Sequence, residues 1–172
     1  SASVRALGTI VDCFPRQPDN FEEQLSVARE ALCEADVLIF TSGSSVNTRD
    51  LTSRVVESLG DPGVLIHGLT VKPGKPTVLG MAGTKPIIGL PGNPVSALTI
   101  FNVVAIPIIR KLAGIKDVNV KPSYSAVIAE DIPSLAGRTD YVRVRLYESG
   151  RGIAARPIFG MSNSISVLSN SD

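Results

Sequence analysis

Tryptophan is absent, aromatic residues make up only 5% of the 172 residues, and there are two cysteines and a single histidine. Each shortage closes off a class of function. With few rings to stack on bases and a net charge of +1, the chain lacks the stacking surface and the positive field that nucleic-acid binding uses. Cys13 and Cys33 are too few for a disulfide framework, and their spacing matches no zinc pattern. Cys33 falls late in an expected helix and reads as a small buried hydrophobe. A reducing, cytoplasmic setting is the expectation. His67 sits in an apolar run and reads as a hydrogen-bonded core residue. No nucleophile–histidine–carboxylate constellation is visible, which argues against triad chemistry. No uninterrupted apolar segment reaches the ~18 residues that cross a bilayer. Val95 to Ile109 comes nearest and is broken by Ser96, Thr99, Asn102 and Pro107. The N-terminus lacks signal-peptide features, so no membrane partner is expected.

What the chain does have is alternation of elements. Ser3 to Leu7 reads as a short strand. Asp19-x-x-Glu22 is a capping signature, and Phe21, Leu25, Ala28 and Leu32 then recur at helical spacing to about Ala35. Asp36 to Thr41 is a continuous apolar run of the kind buried on both faces of a sheet. A polar loop, Ser42 to Asp50, precedes a second helix ending at Gly60. Val64 to Val71 is the next strand, Thr77 to Met81 and Pro86 to Leu90 are strands joined around Ala82-Gly83, and a long helix runs from Pro94 to Leu112. This predicts an α/β domain over 1–115, a mostly parallel sheet with helices on both faces in three layers. Beyond it helical spacing vanishes. Tyr141 to Tyr147 alternates strictly, and with Tyr124 to Ile128 and Ile153 to Ile158 it predicts a small, incomplete all-β domain over 118–172.

Two loops carry the chemistry. Lys72-Pro73-Gly74-Lys75 puts two ammonium groups on one constrained turn. Pro91-Gly92-Asn93-Pro94 ends a strand and opens a helix, with Asn93 as N-cap, Pro94 at the first helical position and Ser96 in the first turn. A helix start offers free N–H groups and partial positive charge to an anion. Ligands of open α/β sheets bind beyond the carboxyl ends of strands, which adds the loop after Thr41, with Ser42, Gly43, Ser44 and Ser45. Small residues, hydroxyls and lysines together suit a phosphate-bearing ligand. The ordinary alternative is tight turns and solvated lysines. Asp50 serves either as a helix N-cap or as a holder of a divalent cation near phosphate. Arg143 and Arg145 share a strand face and read as solvated.

KPGKPT, then GLPGNPVSAL, then a helix ending RKLAG resembles the molybdopterin molybdenumtransferases, the family that includes the C-terminal domain of gephyrin. DNFEEQLSVAREALCEA, DVLIFTSG, GRTDYVRVRL and PIFGMSNSISVLS extend the likeness over nearly the whole chain. The resemblance implies insertion of molybdate (or tungstate) into adenylyl-molybdopterin with release of AMP, assisted by Mg²⁺. It implies a catalytic and metal-holding Asp50, lysines Lys72 and Lys75 on phosphate or oxyanion, and pterin and phosphate contacts from Ser42 to Ser45, Pro73, Gly74, Pro91, Gly92, Asn93, Pro94 and Ser96. It also implies a homodimer whose cleft is completed by a partner subunit. The family pattern near SGGVSVGDYD stands here as TSGSSVNTRD, one residue shorter, with Asn47 replacing a glycine and Arg49 preceding the aspartate. Family members carry further N-terminal domains, an initial strand and helix, and a last strand. By that likeness the chain is expected to be a piece that folds without turning over. An adenylyltransferase of the same fold and a non-enzymatic scaffold are the alternatives; KPGKP and PGNPVSA belong to the metal-inserting branch.

Overall fold

The computed structural model describes residues 2–41, 46–116, 124–150 and 152–158, giving only the backbone of 46–50. The first element is a helical turn, α1 (Ala2–Arg5), and not the expected strand. Val4 and Leu7, three residues apart, share one face of this turn and pack on the core. In α2 (Phe21–Glu34) the cap is Asn20, one residue later than expected, whose Oδ1 accepts from the Glu23 N–H at 3.1 Å. Leu25, Ala28 and Ala31 face inward. Cys33 is exposed, a correction to the buried reading. Five residues beyond Ala28, it has rotated off the inner stripe.

The main sheet comprises β1 (Leu38–Thr41), β2 (Pro62–His67), β4 (Val78–Ala82) and β5 (Lys85–Leu90), in the order β1-β5-β4-β2. β1 pairs with β5 in parallel, while β4 runs against both β5 and β2. Three of the four strands therefore point the same way, as the mostly parallel reading requires, although only one ladder is parallel. The reason is local: Gly83, at φ +58°, closes a tight β4–β5 turn, and such a turn makes its strands antiparallel.

Alternation through β5 splits the core. Ile87 packs toward α3 (Val46–Glu57) with Val56 and Val78. Ile88 packs with Ile100, Phe101, Ala105 and Ile109 on the other face. Both faces are thus covered, and both isoleucines are essentially inaccessible.

The second cluster belongs to one long helix of three parts: α4 (Pro94–Ile100), a π-helical turn (Phe101–Ala105) and α5 (Ile106–Leu112). The π turn lies just before Pro107, which has no N–H to give and whose ring crowds the preceding turn. The 19-residue span is long and apolar enough to cross a membrane, yet its inner face is this protein's own core.

The expected strand Val64 to Val71 stops at His67. Gly68, at φ +93°, turns the chain out of the sheet, and β3 (Val71–Lys72) pairs instead with β7 (Thr139–Asp140). The remaining β unit is β6 (Val127–Ile128), β8 (Val144–Ser149) and β9 (Gly152–Pro157), in the order β6-β9-β8. Tyr141 to Arg143 are not strand as expected, because the Tyr141 N–H is committed to the Lys72 carbonyl at 2.7 Å.

Candidate functional site

The sheet register aligns the ends of three strands. Thr41 is opposite Leu90, and Val78 joins Gly89 on one side to His67 on the other. The carboxyl ends of β1, β5 and β2 therefore emerge on a single edge, the edge where strand order in α/β sheets places ligands. Ser42, Gly43, Ser44 and Ser45, which follow Thr41, lie outside the described residues.

Beyond β2, residues 68 to 77 fold back toward β4. The Gly68 N–H donates to the Thr77 carbonyl at 2.8 Å, and the Leu69 N–H to the Lys75 carbonyl at 2.9 Å. At the tip Lys72 and Lys75 are exposed, Pro73 is half-buried and Gly74 is buried. Thr77, wholly inaccessible, donates its hydroxyl to the Gly74 carbonyl at 2.6 Å. Gly74, at φ +127°, lies against α4 so closely that an added Cβ would stand 2.4 Å from Ile100 Cδ1. That contact ties the lysine turn to the helix opened by the second motif.

There Pro91 is buried, Gly92 exposed, and Asn93 and Pro94 half-buried. Asn93 stands at the N-cap and Pro94 in the first turn as expected, and the Asn93 carbonyl accepts from the Ala97 N–H at 2.8 Å. The Asn93 side chain makes no capping bond to the helix. Ser96 is only 5% exposed.

The helix carrying Asp50 starts at Val46, five residues earlier than expected, so Asp50 lies inside α3 and is not its N-cap. The middle of α3 packs on the same end of the sheet. An added Cβ on Gly89 would meet Thr52 Cγ2 at 3.1 Å, and Ser53 Oγ lies 3.5 Å from His67 Nε2.

His67 is exposed, which corrects the core reading. β2 is an outer strand with a register break between Val64 and Ile66, so Leu65 and Ile66 are exposed beside it. The signal available in the sequence was Gly68, the residue at which the strand ends.

The β unit reaches this edge too, which sequence reasoning missed. Thr139 and Tyr141 N–H groups donate to the Thr70 and Lys72 carbonyls at 2.9 and 2.7 Å, and Lys72 is opposite Asp140. Asp140 accepts from Ser134 Oγ and Arg138 Nε, each at 2.8 Å. The Ser134 hydroxyl first, then Arg138, with a smaller contribution from the Lys72 charge, hold its carboxyl below the usual aspartate range. At the opposite edge, Arg29, Leu32, Cys33, Leu59, Ala82 and Lys85 line an open cleft of about 360 Å³. It contains none of the residues the motifs single out.

Residues 1–111 match the family described as a probable molybdopterin binding domain, and residues 125–172 match the MoeA C-terminal region (domain IV). The chain belongs to the MoeA family. It is 36% identical over 135 residues to a molybdopterin molybdenumtransferase of Haemophilus influenzae, covering 78% of this chain and 33% of that relative. A molybdopterin molybdenumtransferase 2 of Mycobacterium tuberculosis is 30% identical over 162 residues, covering 91% of this chain and 40% of the relative. A crystal structure of the MoeA molybdopterin biosynthesis protein from Pyrococcus horikosii superposes with a TM-score of 0.71 at 30% identity, covering 90% of this chain and 36% of that one. The chain thus spans a third to two-fifths of the length of these MoeA relatives.

Proposed function

We infer that this chain carries the pterin- and phosphate-binding part of an enzyme that inserts molybdate, or its tungsten counterpart, into adenylyl-molybdopterin and releases AMP. One observation supports this most: the Lys72–Lys75 turn and the Pro91–Pro94 helix start lie at the same end of the sheet, and Gly74 packs the turn against Ile100 at the far end of the helix that Pro94 opens. Cleaving a phosphoanhydride demands fixed positive charge where negative charge develops, with little covalent help from the protein. Two lysines on a short turn at the same end of the sheet as an open helix N-terminus would supply such charge. In this reading Lys72 and Lys75 balance phosphate and incoming oxyanion, while Ser42 to Ser45, Pro73, Gly74, Gly92 and Asn93 hold pterin and phosphates at close backbone approach. Pro91, Pro94 and Ser96 shape the helix start. In the intact enzyme a second subunit would complete the cleft.

Among the described residues no three His, Cys, Asp or Glu side chains converge to hold a metal. Asp50, which follows the loop after β1, would supply a carboxylate, a donor that suits Mg²⁺ shared with substrate phosphates and not an all-protein cage. When bound, that ion would neutralise phosphate charge. Asp50 would otherwise orient the attacking oxyanion.

The test is Asp50→Asn in the intact protein, which keeps side-chain size and removes the charge. Molybdate-dependent AMP release should fall by at least ~100-fold, with molybdopterin binding unchanged within about threefold. Activity retained within about threefold, a difference under ~1 kcal/mol, would remove Asp50 from the mechanism.

A further inference from the structure

Among the described residues, the one strand of the α/β unit outside the main sheet is the strand carrying Lys72, which pairs with the β unit. That pairing is short. β3 and β7 contribute two residues each, and two flanking N–H groups, those of Thr139 and Tyr141, bind the carbonyls of Thr70 and Lys72. A two-residue parallel ladder has little stability of its own. What reinforces it is Asp140, opposite Lys72 in the register. Its Oδ1 accepts from Arg138 Nε at 2.8 Å, and its Oδ2 accepts from Ser134 Oγ at 2.8 Å and from Arg138 Nη2 at 3.4 Å. Its side chain is only 9% exposed, against 28% for Arg138. The carboxylate is thus fastened on both oxygens by its own loop, a rigid acidic post in the β unit beside an exposed lysine of the site. Arg138, Ser134 and Lys72 are the groups that act on it.

We propose that Asp140 is a positioning residue for the candidate site: by locking the 134–140 loop it holds β7 against β3 and so fixes where Lys72 is presented. The β unit then acts as a clip on the lysine turn as well as an appended domain. The opposite charges across the ladder favour the register that puts Lys72 beside Asp140, since cross-strand pairs of opposite charge stabilise their alignment. A lysine that balances a phosphate must be in place before the charge develops, so loosening the clip should weaken ligand holding more than it weakens the fold. This proposal rests on the phosphate-binding role inferred above for Lys72.

The experiment compares Asp140→Ala and Ser134→Ala with wild type in the intact protein. Amide hydrogen exchange at Thr139 and Tyr141 reports on the clip, and molybdopterin affinity reports on the site. For Asp140→Ala, exchange at those two amides should accelerate about tenfold while Ile87 and Ile88 amides stay protected. Molybdopterin binding should weaken about five- to tenfold, and kcat for adenylyl-molybdopterin should fall by a similar factor, because Lys72 is displaced from where charge develops. Ser134→Ala, which removes one hydrogen bond and keeps the carboxylate, should shift each readout in the same direction by less, and it carries the test should Asp140→Ala fail to fold. Unchanged exchange at Thr139 and Tyr141 would overturn the clip. Faster exchange with unchanged affinity would overturn its connection to the site. If wild type itself binds no molybdopterin, the inferred function falls, and the clip stands or falls on exchange alone.

Discussion

Replacing Gly74 by alanine would place a methyl group 2.4 Å from Ile100 Cδ1 and 2.6 Å from its Cγ1, with Val71 Cγ2 at 3.3 Å. Ile100 is completely inaccessible and packed among Ile88, Leu90 and Phe101, so it cannot swing into open space. Forcing a methyl group into a filled core costs ~1–3 kcal/mol. The backbone adds to this, because φ is +127° at Gly74, a conformation that costs a residue with a Cβ a further ~1–2 kcal/mol. Gly74→Ala should therefore destabilise the protein by roughly 2–5 kcal/mol, a large share of a typical domain's stability. Gly83→Ala is the control. Its φ is +58° and nothing lies within 4 Å of an added Cβ, so about 1 kcal/mol is expected from the backbone alone. Equilibrium urea unfolding reads both as shifts of midpoint at constant slope. Ile100→Val, which alone costs about 1 kcal/mol, removes the Cδ1 atom responsible for the shortest contact. The double variant should thus be less damaging than the sum of its parts by at least ~0.5 kcal/mol. If Gly74→Ala is no worse than Gly83→Ala, or if the pair is simply additive, the turn does not bear on α4 as described.

Two further outcomes are expected. Asn20→Ala should lower stability by about 1 kcal/mol in the same assay, since it leaves the Glu23 N–H without its cap. Asp140, held below the usual aspartate range chiefly by Ser134 and Arg138, contributes stability that is fully present above its unfolded pKa near 4 and is lost as pH falls through the lower folded value. Wild type should therefore lose stability below about pH 4 more steeply than Asp140→Asn does, as urea midpoints from pH 5 downward would reveal; parallel curves would contradict it.

The layered core was legible because its rules are local. Leu25 and Ala28 recur at helical spacing, Ile87 and Ile88 alternate in a strand buried on both faces, and Asn93-Pro94 marks a helix start; each falls where its pattern put it. The failures share a cause: the deciding partner lay far along the chain. The run Val64 to Val71 reads as one strand until Gly68 turns it away and β7, some seventy residues on, claims Val71 and Lys72. His67 looks buried by its neighbours, yet β2 is an outer strand whose Leu65 and Ile66 are also exposed. α1 forms because Val4 and Leu7 find a core face and no strand partner. In the site, the position of both motif loops at one end of the sheet follows from strand direction and was expected. The closeness of Gly74 to Ile100 and the arrival of Asp140 beside Lys72 depend on tertiary contacts that no spacing records.

The most direct measurement is a crystal structure of the intact protein with adenylyl-molybdopterin bound. The expected result is a pyrophosphate within hydrogen-bonding reach of Lys72 or Lys75 and of the Gly92–Asn93 backbone, at the carboxyl edge of β1, β5 and β2. A ligand seated instead in the cleft between Arg29 and Lys85, at the opposite edge of the sheet, would contradict it.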